Sequence, residues 1–174
     1  MIKASFTGHR CFDWETFKHY QRGAAKLIDF ASMNGWNIEL FINGMALGGD
    51  MAAARVLVGR SLPWKAVIPF KGQHTRWSQG WRTEYKQILA CCPEITVLYP
   101  KYVDGCLPAR NQEMINQSDL CLAIWDGKNT GGTAMTVNMA IKAKIPVIQW
   151  NPVSDEISVI VHQPNNHQQL TLNF

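Results

Sequence analysis

The sequence predicts an α/β protein: a Rossmann-like three-layer sandwich with a mostly parallel central sheet. Two observations carry that expectation. Short apolar runs alternate with segments of helical period along most of the 174 residues, the pattern of βα units. The chain is also 47% hydrophobic and 17% charged, a balance that buries a core without disulfide or metal staples. One domain over residues 1–174 is expected, with a core at 2–150, where no internal repeat, low-complexity segment or linker intervenes, and a C-terminal extension at 151–174.

Strands are expected over residues 2–6, 38–42, 66–70, 95–99, 120–125 and 146–150, each an apolar run of strand length. The first helix is the clearest. Phe17, Tyr20, Ala24, Leu27, Ile28 and Ala31 recur at helical spacing, Asp13 can cap the start, and Gly35 follows the end. Further helices are expected over 50–58, with Gly59 as its C-cap, and over 74–90, 109–117 and 132–143. Beyond Asn151 the pattern weakens: 157–161 reads as an edge strand and 163–169 as a polar turn or loop.

Charge and cysteine content narrow the setting. Lys and Arg total 17 against 13 Asp and Glu, a net charge of +4. The basic residues are scattered, which suits a small anionic ligand and weighs against nucleic acid without removing it as a partner. Cys11, Cys91, Cys92, Cys106 and Cys121 form no C-x-x-C pair, and Met1-Ile2-Lys3-Ala4 lacks the apolar core of a signal peptide, so a reducing, cytoplasmic setting is expected. No apolar run reaches the ~20 residues of a membrane span. The five histidines show no ligand spacing, so no metal is expected. Cys91 and Cys92 read as a buried pair.

In open α/β sheets ligands bind beyond the carboxyl ends of the strands, and four of the loops leaving strands stand out. They are "TGHR" at 7–10, "NGMALGGD" at 43–50, "PFKGQHTRW" at 69–77 and "DGKNTGGT" at 126–133. In the second, Asp50 can cap the following helix. Glycines ahead of a helix let a phosphate approach backbone N–H groups at the positive end of the helix dipole. Taken singly, each glycine-rich turn is better explained as a tight connection, and neither is a Walker or G-x-G-x-x-G motif. His9 and Arg10 are balanced between turn or surface roles and ligand contact. Asp126 could end a strand or meet a ribose hydroxyl, while Trp77 and Trp81 read as packing.

Taken together and in order, "TGHR", "GGDMAAA", "PFKGQHTRW", "ARNQEMINQSD" and "DGKNTGGTAMTVNMA" resemble the SLOG superfamily, and within it the YpsA-like branch, over residues 2–150. The resemblance implies binding or sensing of a nucleotide or nucleotide-derived molecule, with no other cofactor. It implies Gly8, Arg10, Gly48, Gly49, Asp50, Gln73, Arg110, Asn111, Asp126, Gly131, Gly132 and Thr133 as ligand-facing, and His9 joins them from the same first loop. In that reading the amides around 48–50 and 131–133 hold phosphate, Arg10 and Arg110 add charge, and Asp126 or Asn111 meets ribose or base. Relatives include phosphoribohydrolases and single-strand DNA binders of the DprA type, and two rival readings follow: an enzyme cleaving or transferring at an N-glycosidic bond, phosphoribohydrolase- or deoxyribosyltransferase-like, and a DprA-like binder of single-stranded DNA. The hydrolases carry a glutamate where this chain has Thr136, so catalytic residues stay unassigned; Glu84 and Glu113 are the alternative carboxylates. Domains of this kind commonly pair through apolar helix faces, so a homo-oligomer is a further expectation.

Overall fold

A computed structural model of the protein describes residues 2–161 and the backbone of 169–171. The elements run β1 (Ile2–Gly8), α1 (Trp14–Met33), β2 (Ile38–Asn43), α2 (Gly49–Gly59), β3 (Trp64–Phe70), α3 (Gln79–Leu89), β4 (Ile95–Tyr99), α4 (Cys106–Asn116), β5 (Leu120–Ile124), α5 (Gly131–Lys142), β6 (Val147–Trp150), β7 (Ile157–Ile160) and β8 (Gln169–Thr171). The strands join one sheet in the order β4-β3-β2-β1-β5-β6-β7-β8. The first six in that order are parallel, and β7 and β8 add antiparallel. α1 packs on α2 and α2 on α3 over one face, while α4 and α5 pack together over the other. This is a Rossmann-like three-layer sandwich.

Strand alternation divides the core between the faces. Leu120, Leu122 and Ile124 of β5 join the large cluster with α1 and α2, whereas Cys121 and Ala123 pack with Val137 and Ala140 of α5. α1 starts as its sequence predicts, with the Asp13 carboxylate accepting the Thr16 N–H at 2.8 Å. It ends at Asn34, followed by Gly35 at φ +82°. Gly23 sits in its middle because a Cβ there would lie 2.1 Å from the Trp150 ring. Trp81 of α3 stacks on Trp14 at 4.0 Å between ring centroids, so this tryptophan ties two helices together.

Several boundaries differ from expectation. α3 begins at Gln79 rather than near His74, because the chain from Phe70 to Trp77 makes successive four-residue turns: Gln73 N–H to Phe70 C=O, Thr75 to Gly72 and Trp77 to His74. Trp77 therefore precedes the helix. Gly59 lies within α2, and Arg60 is the C-cap. The strand at β7 is not an edge strand, since β8 pairs outside it. Residues 163–168 of the expected polar loop lie outside the described residues, and Gln169 opens β8. Cys91 is exposed and Cys92 half-buried, each Sγ turned to a nearby carbonyl, so they are not the buried pair expected. Among the described residues no helix is long and apolar enough to cross a membrane.

Candidate functional site

Sheet growth reverses at β1: β2, β3 and β4 lie to one side, β5 and β6 to the other. The carboxyl ends of β1 and β5 therefore diverge into opposite connections and leave a crevice between them. A cleft of about 910 Å³ opens there and extends across to the exits of β3 and β4. Ten of the residues singled out from the sequence line it: Gly8, His9, Arg10, Asp50, Gln73, Arg110, Asn111, Gly131, Gly132 and Thr133. Gly48, Gly49 and Asp126 are not in its wall.

Gly48 and Gly49 serve packing instead. The start of α2 presses backbone to backbone on the end of β1, so that a Cβ on Gly49 would stand 2.6 Å from Gly8 Cα and one on Gly8 2.7 Å from Gly49 Cα. Gly48 has φ +118°, and its Cβ would stand 2.4 Å from the His9 carbonyl. The Gly49 N–H donates to His9 C=O at 2.8 Å, and the Met51 N–H to Ala46 C=O at 3.2 Å. Of the amides around 48–50 expected to hold phosphate, that of Gly49 is already engaged within the protein, and Gly48 and Gly49 stand outside the cleft wall.

Asp50 is turned inward from the first turn of α2, where it was expected as a cap. Gly48 holds the cap position, and the Asp50 carboxylate accepts the Gly8 N–H at 3.1 Å. The Arg110 guanidinium, from α4, stands 3.9 Å away, and both side chains are buried. Burial pushes the Asp50 carboxyl up, against the attraction of Arg110 and the amides of Ala46 and Gly8. Burial likewise pulls Arg110 below its usual value, against the attraction of Asp50. Arg110 also donates to Gly44 C=O and, at 2.7 Å, to Asn111 Oδ1. Gly44 has no room for a side chain, since its Cβ would overlap the guanidinium. Gln73 donates to Met45 C=O at 3.1 Å, and Met45 is buried at φ +54°. Asn43 closes this network, accepting the Met45 N–H and donating to Asp50 C=O, both at 2.8 Å. The result is a buried ion pair wired to the loop after β2, with Arg110, Asn111 and Gln73 forming the floor of the cleft.

The second glycine-rich loop is built differently. α5 starts at Gly131, with φ +85°, and the Thr130 side chain makes no cap. A Cβ on Gly131 or Gly132 would meet nothing within 4 Å. Neither those two N–H groups nor that of Thr133 has a backbone partner among the described residues, as the first turn of a helix dictates. All three residues line the cleft, at the positive end of the helix dipole. The loop is anchored from beneath by Asp126, whose carboxylate accepts the Lys128 N–H at 3.1 Å, stands 3.2 Å from Lys128 Nζ and meets His9 Nε2 at 2.9 Å. The same His9 nitrogen lies 3.0 Å from the Asp126 N–H: neutral at Nε2 it accepts that N–H, and protonated there it donates to the carboxylate. Burial would raise the Asp126 carboxyl, but the hydrogen bonds from Lys128 and His9 outweigh it and hold the group below the usual carboxylate range. Asp126 is thus an anchor for this loop. Arg10, whose charge acts on Asp50 and Arg110, is exposed and has no ion-pair partner among the described residues.

From the loop after β3 sequence reasoning took only Gln73. Phe70 at the end of β3, Lys71, Arg76 and Trp77 of that loop, and Lys101 and Tyr102 from the loop after β4 also line the cleft. The strand-end rule applied to β4 would have found the last two. The alternative carboxylates are committed elsewhere: Glu84 pairs with Arg55 at 2.6 Å, and Glu113 accepts from Gln117. The buried Thr136 hydroxyl donates to Gly132 C=O at 2.9 Å. Among the described residues no cluster of His, Cys, Asp or Glu is fit to hold a metal ion.

The topology and the cleft at the strand reversal define a Rossmann-like, ligand-binding type of architecture. The model of the YspA SLOG family matches residues 4–147, most of the chain, and the protein belongs to that family. It is similar to the uncharacterized SPbeta prophage-derived protein YoqJ of Bacillus subtilis, at 33% identity over 127 residues covering 63% of this chain and 74% of that one. Its fold is similar to that of DNA processing protein A (DprA) from Streptococcus pneumoniae, with a TM-score of 0.59 at 18% identity. That match covers 88% of this chain, which spans 53% of the DprA chain.

Proposed function

We propose that the protein binds a nucleotide or nucleotide-derived small molecule in this cleft, in the cytoplasm, as a binding or sensing protein. The observation that carries the reading is the start of α5. Unpartnered backbone N–H groups at a helix N-terminus, lined by glycines with open space above them, meet an uncommitted arginine at the reversal point of a parallel sheet. Membership of the SLOG family supports it.

Cleavage of an N-glycosidic bond is the weaker reading. It needs a carboxylate beside the anomeric carbon, and the one carboxylate among the described residues of the cleft wall, Asp50, is buried against Arg110 and two main-chain amides. Native mass spectrometry of the purified full chain, followed by calorimetry with any nucleotide released, tests the proposal. A bound nucleotide recovered intact is the expected result. Turnover of nucleoside monophosphates to free base and ribose 5-phosphate would replace binding with hydrolysis.

A further inference from the structure

β4 closes one edge of the sheet, and nothing among the described residues pairs beyond it. Edge strands are usually guarded against association by charged residues, proline or a bulge. β4 has no charge and no proline, and is built of Ile95, Thr96, Val97, Leu98 and Tyr99. Ile95 and Val97 are 45% and 46% exposed, and they are the only strand residues among the exposed large hydrophobics of the described residues.

The free groups of this edge match their own two-fold image. The Ala66 N–H donates to Glu94 C=O at 2.9 Å and Ala66 registers with Ile95, so the even-numbered residues of β4 bond to β3. The N–H and C=O groups of Ile95 and Val97, and the N–H of Tyr99, therefore point away from the sheet. In an antiparallel pair centred on Val97, the two Val97 residues exchange both bonds. Ile95 does the same with Tyr99 of the second copy, whose C=O keeps a lone pair beside the Lys71 N–H it already accepts. Leu98 packs toward Met114 of α4, so by alternation Ile95, Val97 and Tyr99 share the opposite face, where the seam sets Val97 against Val97 and Ile95 against Tyr99. Charge favours the same direction. Glu94, 63% exposed, precedes the strand and the exposed Lys101 follows it, so antiparallel pairing brings acid beside base at both ends.

Residues 172–174 follow β8, seven strand spacings or roughly 34 Å along the sheet from β4, and three residues extend at most about 11 Å. The cover for this edge must come from another chain. We infer that the protein forms a two-fold dimer in which β4 pairs antiparallel with β4 of a second copy, joining the two sheets into one. The axis runs through the Val97 pair, perpendicular to the sheet. The carboxyl ends of the strands then point oppositely in the two copies, so each cleft stays open and the dimer is independent of what the cleft binds.

Sedimentation velocity of the full chain over a concentration series tests it, with amide hydrogen exchange followed by NMR. A monomer–dimer equilibrium is expected, with a dissociation constant in the micromolar range because one strand pair is a small interface. The Ile95 and Val97 amides should gain protection in step with the dimer fraction. V97K and V97E each set like charges face to face on the axis and should raise the dissociation constant at least about tenfold. Because Val97 is half-exposed, both variants should melt near the parent temperature when dilute. Mixed in equal amounts they should recover a dimer, since lysine then faces glutamate. If either variant melts early, amide protection in the unaltered chain decides alone. A chain that stays monomeric up to about 1 mM overturns the inference. So does a dimer whose Ile95 and Val97 amides exchange as fast as the monomer's, a folded V97K that dimerises as well as the parent, or a mixture of the folded variants that recovers no dimer.

Discussion

The loops 43–50 and 126–133 look alike in sequence, each rich in glycine between a strand and a helix, and the fold uses them for opposite purposes. In the first, glycine is required because main chain meets main chain: Gly8, Gly48 and Gly49 leave no space for a Cβ, and the Gly49 and Met51 N–H groups are bonded within the protein. In the second, Gly131 and Gly132 face empty space and the helix start is open. A glycine before a helix thus marks close approach, and only the surroundings decide whether the approaching group is another strand or a ligand.

The largest effect that tests this contrast is on folding. Gly48→Ala combines a φ of +118° with a contact of 2.4 Å to the His9 carbonyl, so it should destabilise the protein by more than about 4 kcal/mol or prevent folding. Gly132→Ala, in open space, should change stability by less than about 1 kcal/mol. Gly132→Val should stay folded yet lose detectable nucleotide binding, because its side chain occupies the space over the α5 amides. Urea unfolding of the three variants, with calorimetry on those that fold, reads the outcome. A folded, stable Gly48→Ala would remove the contrast.

Next comes the buried pair that fixes the first loop. Arg110→Ala leaves the Asp50 carboxylate buried without its cation and should cost about 3–5 kcal/mol, measured by urea unfolding. Arg10→Ala, at the exposed second site, should leave the urea midpoint unchanged while weakening phosphate-ligand binding by about 1.5–3 kcal/mol, measured by calorimetry. A lowered midpoint with equal affinity would make Arg10 structural.

Much of the fold was legible because burial writes itself into residue order. The runs 38–42 and 120–125 gave β2 and β5 to within a residue at each end; β5, covered on both faces, is continuously apolar, while in β2 only the exposed Glu39 interrupts the run. The stretch 74–78 was read as the start of α3 because its residues tolerate a helix, and what excludes one is the run of turns that follows Gly72 at φ +88° and reaches Trp77. At the site, the lining residues near β1 and α5 were legible from loop composition. The inward turn of Asp50 was not: an aspartate at a helix start reads as a cap, and its true partners, Gly8 and Arg110, lie 42 and 60 positions away. Lys101 and Tyr102 follow an ordinary strand with no glycine-rich loop after it, and only the strand-end rule points to them.

The smallest and sharpest test uses the two aspartates that fasten the loops. Asp50 is pushed up by burial, whereas Asp126 is held low by Lys128 and His9 after burial has raised it, so acid should reach them in that order. Against an unfolded value near ~3.9, folding takes up a proton at Asp50, and this carboxyl's contribution to stability rises as pH falls through the window above that value. Asp126 has the opposite sign: its contribution is complete above ~3.9 and is lost only as pH falls through a lower, folded value. Carbon NMR of the side-chain carboxyls, followed from neutral pH downward, should therefore show the Asp50 resonance moving first while the Asp126 resonance and the nucleotide affinity hold. If Asp126 titrates first, hydrogen bonding does not set its state, and the second loop is not anchored by the carboxylate beneath it.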